Sequence, residues 1–310
     1  MGASQELVRL PYDIPAEFAA QASPDPDREA FLRRLPQTAD QITDEWALSY
    51  DGEPSFGYTG LVMPVRTDAG RRGMLKIGLI DPESYGEPVA LQLWGGHGAV
   101  ELWAADPRRG ATLMERLGPD DLTSIDVLEA CEVVGELYGL IHRPPSPRLT
   151  DLHALLGHWL DNVRALPRDA MPSRFVEQAL AAAPRLMDDA PSAVIHGDLH
   201  YENVLRGERR PWLVIDPKGF AGDPAYELAP MLWNRWSELG DEPGAGIRDR
   251  FYALVDASGL DERRCRDWVV VRSVVNVCGE HVAAAGRPLS DAQREWLTRC
   301  IMTAKAMQDI

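Results

Sequence analysis

The sequence predicts an α+β fold of two lobes, with a small β-rich N-lobe and a mostly helical C-lobe. Short apolar runs typical of strands fill residues 46–117, whereas apolar residues at helical spacing dominate the sequence after Gly118. With 310 residues and 45% hydrophobic composition, the chain is long enough to bury two packed cores. We therefore assign residues 1–117 to the N-lobe and residues 118–310 to the C-lobe.

The N-lobe pattern consists of strands and one helix. Residues 57–66 and 73–80 are apolar runs joined by a polar turn, and residues 84–94 have helical periodicity. Residues 99–105 and 111–116 are separated by Asp-Pro-Arg-Arg-Gly, which indicates a hairpin. We expect about five short strands and one helix in this part of the chain.

The C-lobe pattern is helical except for one segment. Residues 123–142 place their apolar side chains on one helical face, with Thr123 or Ser124 available as the N-cap. Residues 194–216 break the helical pattern and predict a small β insertion. The other predicted helices span residues 151–166, 173–188, 224–239, 246–257, 261–285 and 290–307.

Composition and charge narrow the possible partners. A formal net charge of −16 argues against a nucleic-acid partner, because phosphate binding needs a basic face. The same charge is compatible with a cationic small-molecule acceptor, and it is equally explained as a device for solubility. No apolar stretch is long enough to span a membrane, and no feature of the sequence indicates a protein partner.

The cysteines indicate a reducing compartment. Cys131, Cys265, Cys278 and Cys300 are far apart, and the sequence contains no Cys-x-x-Cys pair. Buried free thiols are therefore favoured over a disulfide or a metal site. The N-terminal residues lack the basic segment and apolar core of a secretion signal, so we expect a cytoplasmic location.

The densest polar cluster follows an apolar run at residues 193–195. His196, Asp198 and Asn203 have the spacing His-x-Asp-x-x-x-x-Asn, and Asp216 follows the next apolar strand. Kinases use this spacing to place a catalytic base and the amide and carboxylate groups that bind the metal ions of a nucleotide. Polar groups on loops at strand ends are typical of catalytic sites. The pattern therefore predicts phosphoryl transfer.

A second candidate cluster lies upstream. Lys76 is in the middle of a predicted strand between Leu75 and Ile77, and Glu87 lies on the predicted helix that follows. A lysine at this position is costly unless its side of the strand opens onto a cleft or a partner, and Glu87 is placed to pair with it. Taken alone, Lys76 is also explained as an edge residue that reaches solvent.

Three segments resemble a known family. His-Gly-Asp-Leu-His-x-x-Asn, Ile-Asp-Pro-Lys-Gly and Gly-Asp-Pro-Ala-Tyr-Glu-Leu-Ala are similar to the aminoglycoside and hydroxyurea resistance kinases, the group that contains the streptomycin 6-kinases. The resemblance extends from about Phe56 to about Trp236. It implies a two-lobed protein-kinase-like fold, ATP or GTP with Mg²⁺ as cofactors, and transfer of the γ-phosphoryl group onto a hydroxyl.

The resemblance also implies a role for each matching residue. Asp198 would be the catalytic base, and Asn203 and Asp216 would hold Mg²⁺. Lys76 would contact the α- and β-phosphates with Glu87 as its partner. These roles make residues 1–117 the nucleotide-binding lobe and the rest of the chain the catalytic and acceptor-binding lobe.

Further roles follow for the nucleotide pocket and for loop support. Gly57 and Gly60 would belong to the loop that covers the phosphates, and the backbone from Glu115 to Leu117 would be a hinge that meets the base of the nucleotide. Asp223 would hold the catalytic loop through backbone N–H groups. His196 would also be structural, because it orients the loop by hydrogen bonds.

A polycationic acceptor needs carboxylates and apolar walls. The candidates are Asp161, Glu202, Glu227 and Glu280, with Trp233 and Trp236 as walls. Each carboxylate is also explained as a solvated group on a helix face, and each tryptophan as a core residue. We expect a streptomycin-like aminoglycoside, with antibiotic resistance as the role; the alternative is hydroxyurea or a metabolic amino sugar.

Two other functions compete with this interpretation. A metal-dependent phosphoesterase could use Asp198 and His200, but it needs further histidines downstream, and only His281 follows. Asp151, which also fits part of such a motif, is more simply a helix N-cap. The second competitor is a catalytically silent pseudokinase, although such proteins typically lack the lysine, the base or the metal-binding carboxylate.

Overall fold

The computed structural model describes residues 26–56, 60–80, 85–188 and 191–308. The chain divides into two compact units, one formed by residues 1–96 with 100–117 and the other by residues 97–99 with 118–310. The short segment at residues 97–99 departs from the division expected from the sequence. It groups with the second unit because Ala99 pairs with Val214, whose backbone N–H donates to the carbonyl of Gly98 at 2.9 Å.

The first unit is built on one antiparallel sheet. Its strands are β1 (Leu48–Tyr50), β2 (Ser55–Phe56), β3 (Gly60–Thr67), β4 (Arg72–Gly78), β5 (Leu102–Asp106) and β6 (Ala111–Glu115). They follow the order β1-β3-β4-β6-β5, with β2 on the other end of β3. In the central register, Lys76 lies between Val62 and Thr112. The four strands located from the sequence and the hairpin are confirmed as β3 to β6, and β1 and β2 are two further short strands.

A helix that the sequence analysis did not predict covers one face of this sheet. Helix α1 (Pro26–Glu45) places Phe31, Leu35, Ala39 and Ile42 at helical spacing, and these side chains form one core cluster with Leu61, Met63, Val65, Leu75 and Ile77. Successive side chains of a strand point to opposite faces. Lys76 therefore lies on the face of β4 that α1 does not cover.

Helix α2 (Gly86–Trp94) follows β4 in the chain and is the predicted helix of this unit. It ends at Gly95, whose φ of 54° is in the left-handed region and whose N–H donates to the carbonyl of Leu91. Glu87 lies in its first turn, where a carboxylate is favoured by the helix dipole.

The second unit is mostly helical. Six predicted helices are confirmed, with ends that differ by no more than four residues from the predicted ones: 123–142, 151–166, 173–188, 246–257, 261–285 and 290–307. Its helices are α3 (Val127–Ile141), α4 (Leu152–Arg164), α5 (Ser173–Met187), α6 (Ala229–Trp233), α7 (Pro243–Ser258), α8 (Glu262–Ala284) and α9 (Asp291–Ala306).

Two details of the helix prediction are wrong. Helix α3 is capped by Asp126, whose carboxylate accepts from the N–H of Leu128 at 2.8 Å; Thr123 and Ser124 lie in a preceding 3₁₀ turn. The continuous helix expected over residues 224–239 is broken, because the backbone turns at Arg235 with a φ of 49°. Only α6 and two 3₁₀ turns remain there.

The β insertion consists of short strands that carry the polar loops. They are β7 (Thr150–Asp151), β8 (Ala193–Ile195), β9 (Val204–Arg206), β10 (Trp212–Val214) and β11 (Phe220–Gly222). Strands β9 and β10 form an antiparallel hairpin, and β11 pairs with both β7 and β8. Asp151 caps α4 as predicted, with its carboxylate accepting from the N–H of His153.

The structure shows the state of the four cysteines and the character of the helices. Cys131, Cys265, Cys278 and Cys300 are all buried free thiols, as predicted. Burial raises the pKa of the Cys131 thiol to about 11, which keeps it protonated and unreactive. Among the residues that the structure describes, no helix is both long and apolar enough to cross a bilayer.

Candidate active site

The strands of the second unit bring the predicted catalytic and metal-binding residues together. Asn203 immediately precedes β9, and Asp216 lies two residues after β10. The antiparallel pairing of these strands places Val204 opposite Val214, and the N–H of Ile215 donates to the carbonyl of Asn203 at 2.9 Å. The two loops are therefore fixed side by side by the hairpin.

The backbone of Asp198 is held on both sides. Its N–H donates to Nδ1 of His196 at 3.1 Å, and its carbonyl accepts from Nδ2 of Asn203 at 2.9 Å. The Asp198 side chain is only partly buried, so it can meet a small molecule. These two bonds fix the peptide groups on either side of Asp198 and therefore the position of its Cα.

His196 is fully buried and connects the two loops. Its Nε2 lies 2.8 Å from the carbonyl oxygen of Ile215, while its Nδ1 accepts from Asp198. Only the neutral ring protonated at Nε2 satisfies both contacts. Burial lowers the pKa of His196, which favours that neutral form.

Gly197 and Asp216 both have left-handed backbones. Gly197 has a φ of 88°, and a Cβ at this position would come within 2.6 Å of ring carbons of Phe220. Asp216 has a φ of 55°, an uncommon conformation for a residue with a side chain. Such strain is typically retained at functional sites, where the surrounding contacts hold it.

Asn203 and Asp216 fit a hard divalent cation. Because Nδ2 of Asn203 is engaged with the Asp198 carbonyl, its side-chain oxygen is directed away from that bond. Amide and carboxylate oxygens are the ligands that Mg²⁺ prefers, and Mg²⁺ commonly takes only one or two protein ligands together with phosphate oxygens and water. Within the described residues, no group of three or more His, Cys, Asp or Glu side chains is arranged to hold a metal.

Glu227 was predicted to contact the acceptor, but the structure buries it against the catalytic loop. It is fully buried, and its two carboxylate oxygens accept from the backbone N–H groups of His196 and, at 3.1 Å, Gly197. Burial alone would raise the pKa of Glu227, but His142 and the backbone of His196 lower it overall. The charged carboxylate of Glu227 is thus a brace inside the catalytic loop.

The prediction that Asp223 holds the catalytic loop is corrected by this finding. Asp223 is also fully buried, but its carboxylate accepts from the N–H of Ala225, from Nε of Arg264 and from Nε1 of Trp268. It therefore caps the 3₁₀ turn Pro224–Leu228 and ties that turn to α8. Glu227 belongs to this same 3₁₀ turn.

Arg272 on α8 completes the support and was not identified from the sequence. Its Nη2 donates to the carbonyl of Gly197 and its Nη1 to the carbonyl of Tyr226, each at 3.0 Å. The guanidinium carbon lies 3.9 Å from the centre of the Tyr226 ring. An arginine after the apolar run from Trp268 to Val271 was the available signal, because a buried arginine on an apolar helix needs partners.

The first unit contains the predicted lysine–glutamate pair. Nζ of Lys76 lies 2.9 Å from both carboxylate oxygens of Glu87. The side chains are 17% and 10% exposed, so both charges are largely removed from water. A pair of this kind fixes the ammonium on the face of β4 that α1 does not cover, where a phosphate could compete for it.

The other predicted nucleotide contacts come from the start of β3 and the end of β6. Gly57 lies outside the described residues. Gly60 begins β3 where two backbones approach closely, since a Cβ there would come within 2.9 Å of the Ile77 carbonyl oxygen. Glu115 ends β6, and its Oε1 accepts from the N–H of Glu101 at 2.8 Å. Leu117 is partly buried at the end of this unit.

Sequence comparison matches residues 45–279 to the family model described as "Aminoglycoside/hydroxyurea antibiotic resistance kinase". A streptomycin 6-kinase of Streptomyces glaucescens is 34% identical over 88% of this chain and 91% of its own length. The chain belongs to the aminoglycoside/hydroxyurea antibiotic resistance kinase family. A hydroxyurea phosphotransferase of Kitasatospora aureofaciens is 36% identical over 81% of this chain and 74% of its own length.

Solved structures with the same fold are also kinases. A choline/ethanolamine kinase family protein from Mesorhizobium loti has a TM-score of 0.60 at 18% identity and covers 88% of this chain and 95% of its own. An aminoglycoside phosphotransferase in complex with ADP and hygromycin B has a TM-score of 0.58 at 17% identity, with 86% and 97% coverage. The predicted protein-kinase-like fold is confirmed for this family member.

The predicted acceptor residues of this resistance kinase differ in their exposure and in their partners. Asp161 is exposed and paired with Arg164 at 2.7 Å, and the Glu202 side chain is 70% exposed. Trp233 is buried against Trp296 and is not a wall of an open site. Glu280 lines a cavity of the second unit.

Trp236 is the second predicted wall. It begins a 3₁₀ turn (Trp236–Glu238), is partly buried and has the guanidinium of Arg299 5.7 Å from its ring centre. A tryptophan covered by an arginine is stabilised by cation–π attraction, and this contact occupies one side of the ring.

Proposed function

We propose that this protein transfers the γ-phosphoryl group of ATP to a hydroxyl of an aminoglycoside and thereby confers resistance to it. The observation that carries the proposal is the connected loop of His196, Asp198 and Asn203, joined to Asp216 by the β9–β10 hairpin. This arrangement supports the proposal, because phosphoryl transfer needs a carboxylate for proton removal and oxygen ligands for a metal.

The nucleotide contacts come from the first unit. Lys76 would hold the α- and β-phosphates, with Glu87 keeping the ammonium in place. Gly60, with Gly57, would belong to the loop over the phosphates, and the backbone from Glu115 to Leu117 would meet the base. ATP is the proposed donor, with GTP as the alternative, and the proposed location is the cytoplasm.

Asn203 and Asp216 would hold Mg²⁺. The ion supplies charge neutralisation for the phosphates when bound. The protein contributes one amide oxygen and one carboxylate for it, held in register by the hairpin. The surrounding contacts hold Asp216 in its left-handed backbone conformation.

Asp198 would act as the base in the transfer. Its carboxylate takes the proton of the acceptor hydroxyl, the acceptor oxygen forms a bond to the γ-phosphorus, and the bond from that phosphorus to the bridging oxygen of ADP breaks. The products are the phosphorylated acceptor and ADP. The neutral ring of His196 fixes the Asp198 backbone and does not exchange a proton itself.

The acceptor is proposed from the relatives. The streptomycin 6-kinase similarity covers more of both chains than the hydroxyurea phosphotransferase similarity, so streptomycin is the first candidate. Hydroxyurea is the second candidate, because the protein named for it is 36% identical to this chain.

The test is a panel assay with ATP and magnesium. Streptomycin, hydroxyurea and an amino sugar are each incubated with the purified protein, and ADP release is measured together with the mass of the acceptor. We expect streptomycin to gain one phosphoryl group. A panel in which no acceptor gains a phosphoryl group, despite a folded protein, would contradict the proposal.

A further inference from the structure

Arg235 lies in the turn that follows α6. Its φ of 49° and ψ of 44° are left-handed, a conformation that residues with a Cβ seldom adopt. The buried Arg250 of α7 holds this turn, because its Nη1 donates to the carbonyl of Asn234 at 2.6 Å and its Nη2 to that of Arg235 at 3.0 Å. Backbone strain of this kind persists where the surrounding contacts hold it, and it is common at functional sites.

The guanidinium of Arg235 joins segments of the second unit that are far apart in the chain. Its Nη1 donates to the carbonyls of Leu122 and Ile125, each at 3.0 Å. Its Nε and Nη2 lie 2.8 Å and 2.6 Å from the two carboxylate oxygens of Glu238, and this bidentate pair fixes the plane of the guanidinium. The side chain is 10% exposed, so water competes little for these bonds.

The same guanidinium lies over the ring of Tyr201 in the catalytic loop. The guanidinium carbon of Arg235 is 5.0 Å from the centre of that ring, and the guanidinium carbon of Arg250 is 5.9 Å from it. Tyr201 is buried, so both cation–π contacts are protected from water. Its hydroxyl donates to the carbonyl of Met231 at 3.0 Å. Tyr201 is therefore held both at its ring and at its hydroxyl.

Tyr201 is connected to the proposed metal ligand by one short turn. It begins the 3₁₀ turn Tyr201–Asn203, in which the N–H of Asn203 donates to the carbonyl of His200 at 3.0 Å. Nδ2 of Asn203 then donates to the carbonyl of Asp198. A 3₁₀ turn of three residues leaves little freedom between its ends. The contacts that hold the Tyr201 ring therefore restrict the position of Asn203 as well.

We propose that Arg235 is a positioning residue for phosphoryl transfer, which holds Tyr201 and thereby places Asn203 for the metal ion. This inference rests on the proposed function, in which Asn203 holds Mg²⁺. It accounts for an arginine at a left-handed position that glycine would adopt with less strain. Glycine would supply the backbone conformation, but it has no guanidinium to reach Tyr201.

The first experiment measures the catalytic loop directly. Arg235→Gly removes the guanidinium and relieves the backbone strain, and Ala285→Gly is its matched control. Ala285 has nearly the same backbone, with a φ of 49° and a ψ of 43°, and it is an exposed residue at the end of α8. Hydrogen exchange is followed by mass spectrometry without metal or nucleotide. We expect residues 199–204 to exchange about tenfold faster in Arg235→Gly and at the wild-type rate in Ala285→Gly.

The second experiment measures the consequence for the metal. ADP binding is followed by calorimetry over a series of magnesium concentrations, so no acceptor is needed. We expect the magnesium concentration for half-maximal binding to rise about tenfold in Arg235→Gly, as it does when a residue that orients a metal ligand is lost, and less than about twofold in Ala285→Gly. Arg235→Lys retains the charge without the planar fork and should give an intermediate value. If Arg235→Gly does not fold, Arg235→Lys carries the same comparison.

The outcomes separate this inference from the proposed function. A merely structural role for Arg235 would lower the melting temperature but leave the magnesium midpoint unchanged, with no faster exchange at residues 199–204 than elsewhere in the second unit; that result overturns the proposal. A midpoint that rises equally in Ala285→Gly also overturns it. Transfer to streptomycin that persists in either case leaves the kinase function intact. If both expected changes occur in a protein that phosphorylates no acceptor, the function is overturned and the role of Arg235 is supported.

Discussion

Glu87 in the first unit and Glu227 in the second are both buried glutamates, but they hold different kinds of partner. Glu87 pairs with the ammonium of Lys76, and both side chains retain some exposure. Glu227 has no exposed surface and accepts from two backbone N–H groups. An ammonium can exchange one anionic partner for another, whereas a backbone N–H buried in a loop has no alternative. The first contact suits ligand binding, and the second suits a permanent framework.

The largest effect should come from the residue that the Glu227 framework positions. Asp198→Ala is expected to lower kcat by about 10²–10⁴ and leave nucleotide KM nearly unchanged, because a base acts mainly in the transition state. Steady-state kinetics with the best acceptor measures this, with Asp169→Ala as an exposed-carboxylate control. If Asp198→Ala retains more than about a third of the wild-type kcat, Asp198 is not the base.

The next effect concerns the hairpin that joins Asn203 to Asp216. Asp216→Asn should raise the magnesium concentration for half-maximal activity about tenfold or more, because a hard cation loses a charged oxygen ligand. Asn203→Ala should do the same and also free the Asp198 carbonyl, so its kcat should fall further. Magnesium titrations at fixed ATP measure both. Identical magnesium curves for the wild type and both variants would remove these residues from the metal site.

One substitution in each glutamate, Glu227 and Glu87, tests the comparison between them. Glu227→Gln turns an amide group toward a backbone donor and leaves one N–H without an acceptor, which should cost about 1–3 kcal/mol of unfolding free energy and lower kcat with it. Glu87→Gln should raise the nucleotide KM and lower kcat/KM for the nucleotide about tenfold, and it should also cost stability because the largely buried ammonium of Lys76 loses its charged partner. Urea unfolding and nucleotide kinetics of both variants decide the matter. A nucleotide KM that rises equally in both variants would show that the two carboxylates have the same role.

The smallest effect is a pH dependence of stability from His196. Its pKa is lowered in the folded protein, so the unfolded chain binds the proton first. The stability that neutral His196 contributes should be complete above about pH 6.5 and should decline as the pH falls from there toward the folded pKa. His196→Asn should flatten the urea midpoint between pH 7 and 5 relative to the wild type. A parallel decline in both proteins would assign the effect to other groups.

Local patterns allowed much of the site to be predicted from the sequence. The spacing of His196, Asp198 and Asn203 lies within one loop, so the chain itself keeps these groups near one another. Lys76 and Glu87 were predicted because a lysine among apolar strand residues needs a partner nearby. The helix α1 was missed although its apolar residues repeat at helical spacing.

The remaining features depend on contacts that a sequence pattern does not contain. Asp223 and Glu227 are acidic residues of the same motif, and only folding determines which of them meets the catalytic loop. The break at Arg235 was missed because arginine rarely adopts a positive φ and gives no local signal for it. The role of Arg272 follows from partners far away in the chain, Gly197 and Tyr226.

Helix α1 has a practical consequence for anyone who works with this protein. The family match begins at residue 45, whereas α1 ends at Glu45 and supplies Phe31, Leu35, Ala39 and Ile42 to the core beside the sheet. A recombinant fragment that begins at residue 45 and keeps the C-terminal helices would retain every predicted catalytic and metal-binding group but would expose the apolar face of β3 and β4. Exposed apolar strands promote association between chains. Insoluble expression of such a fragment would therefore report the loss of this cover and would carry no information about catalysis.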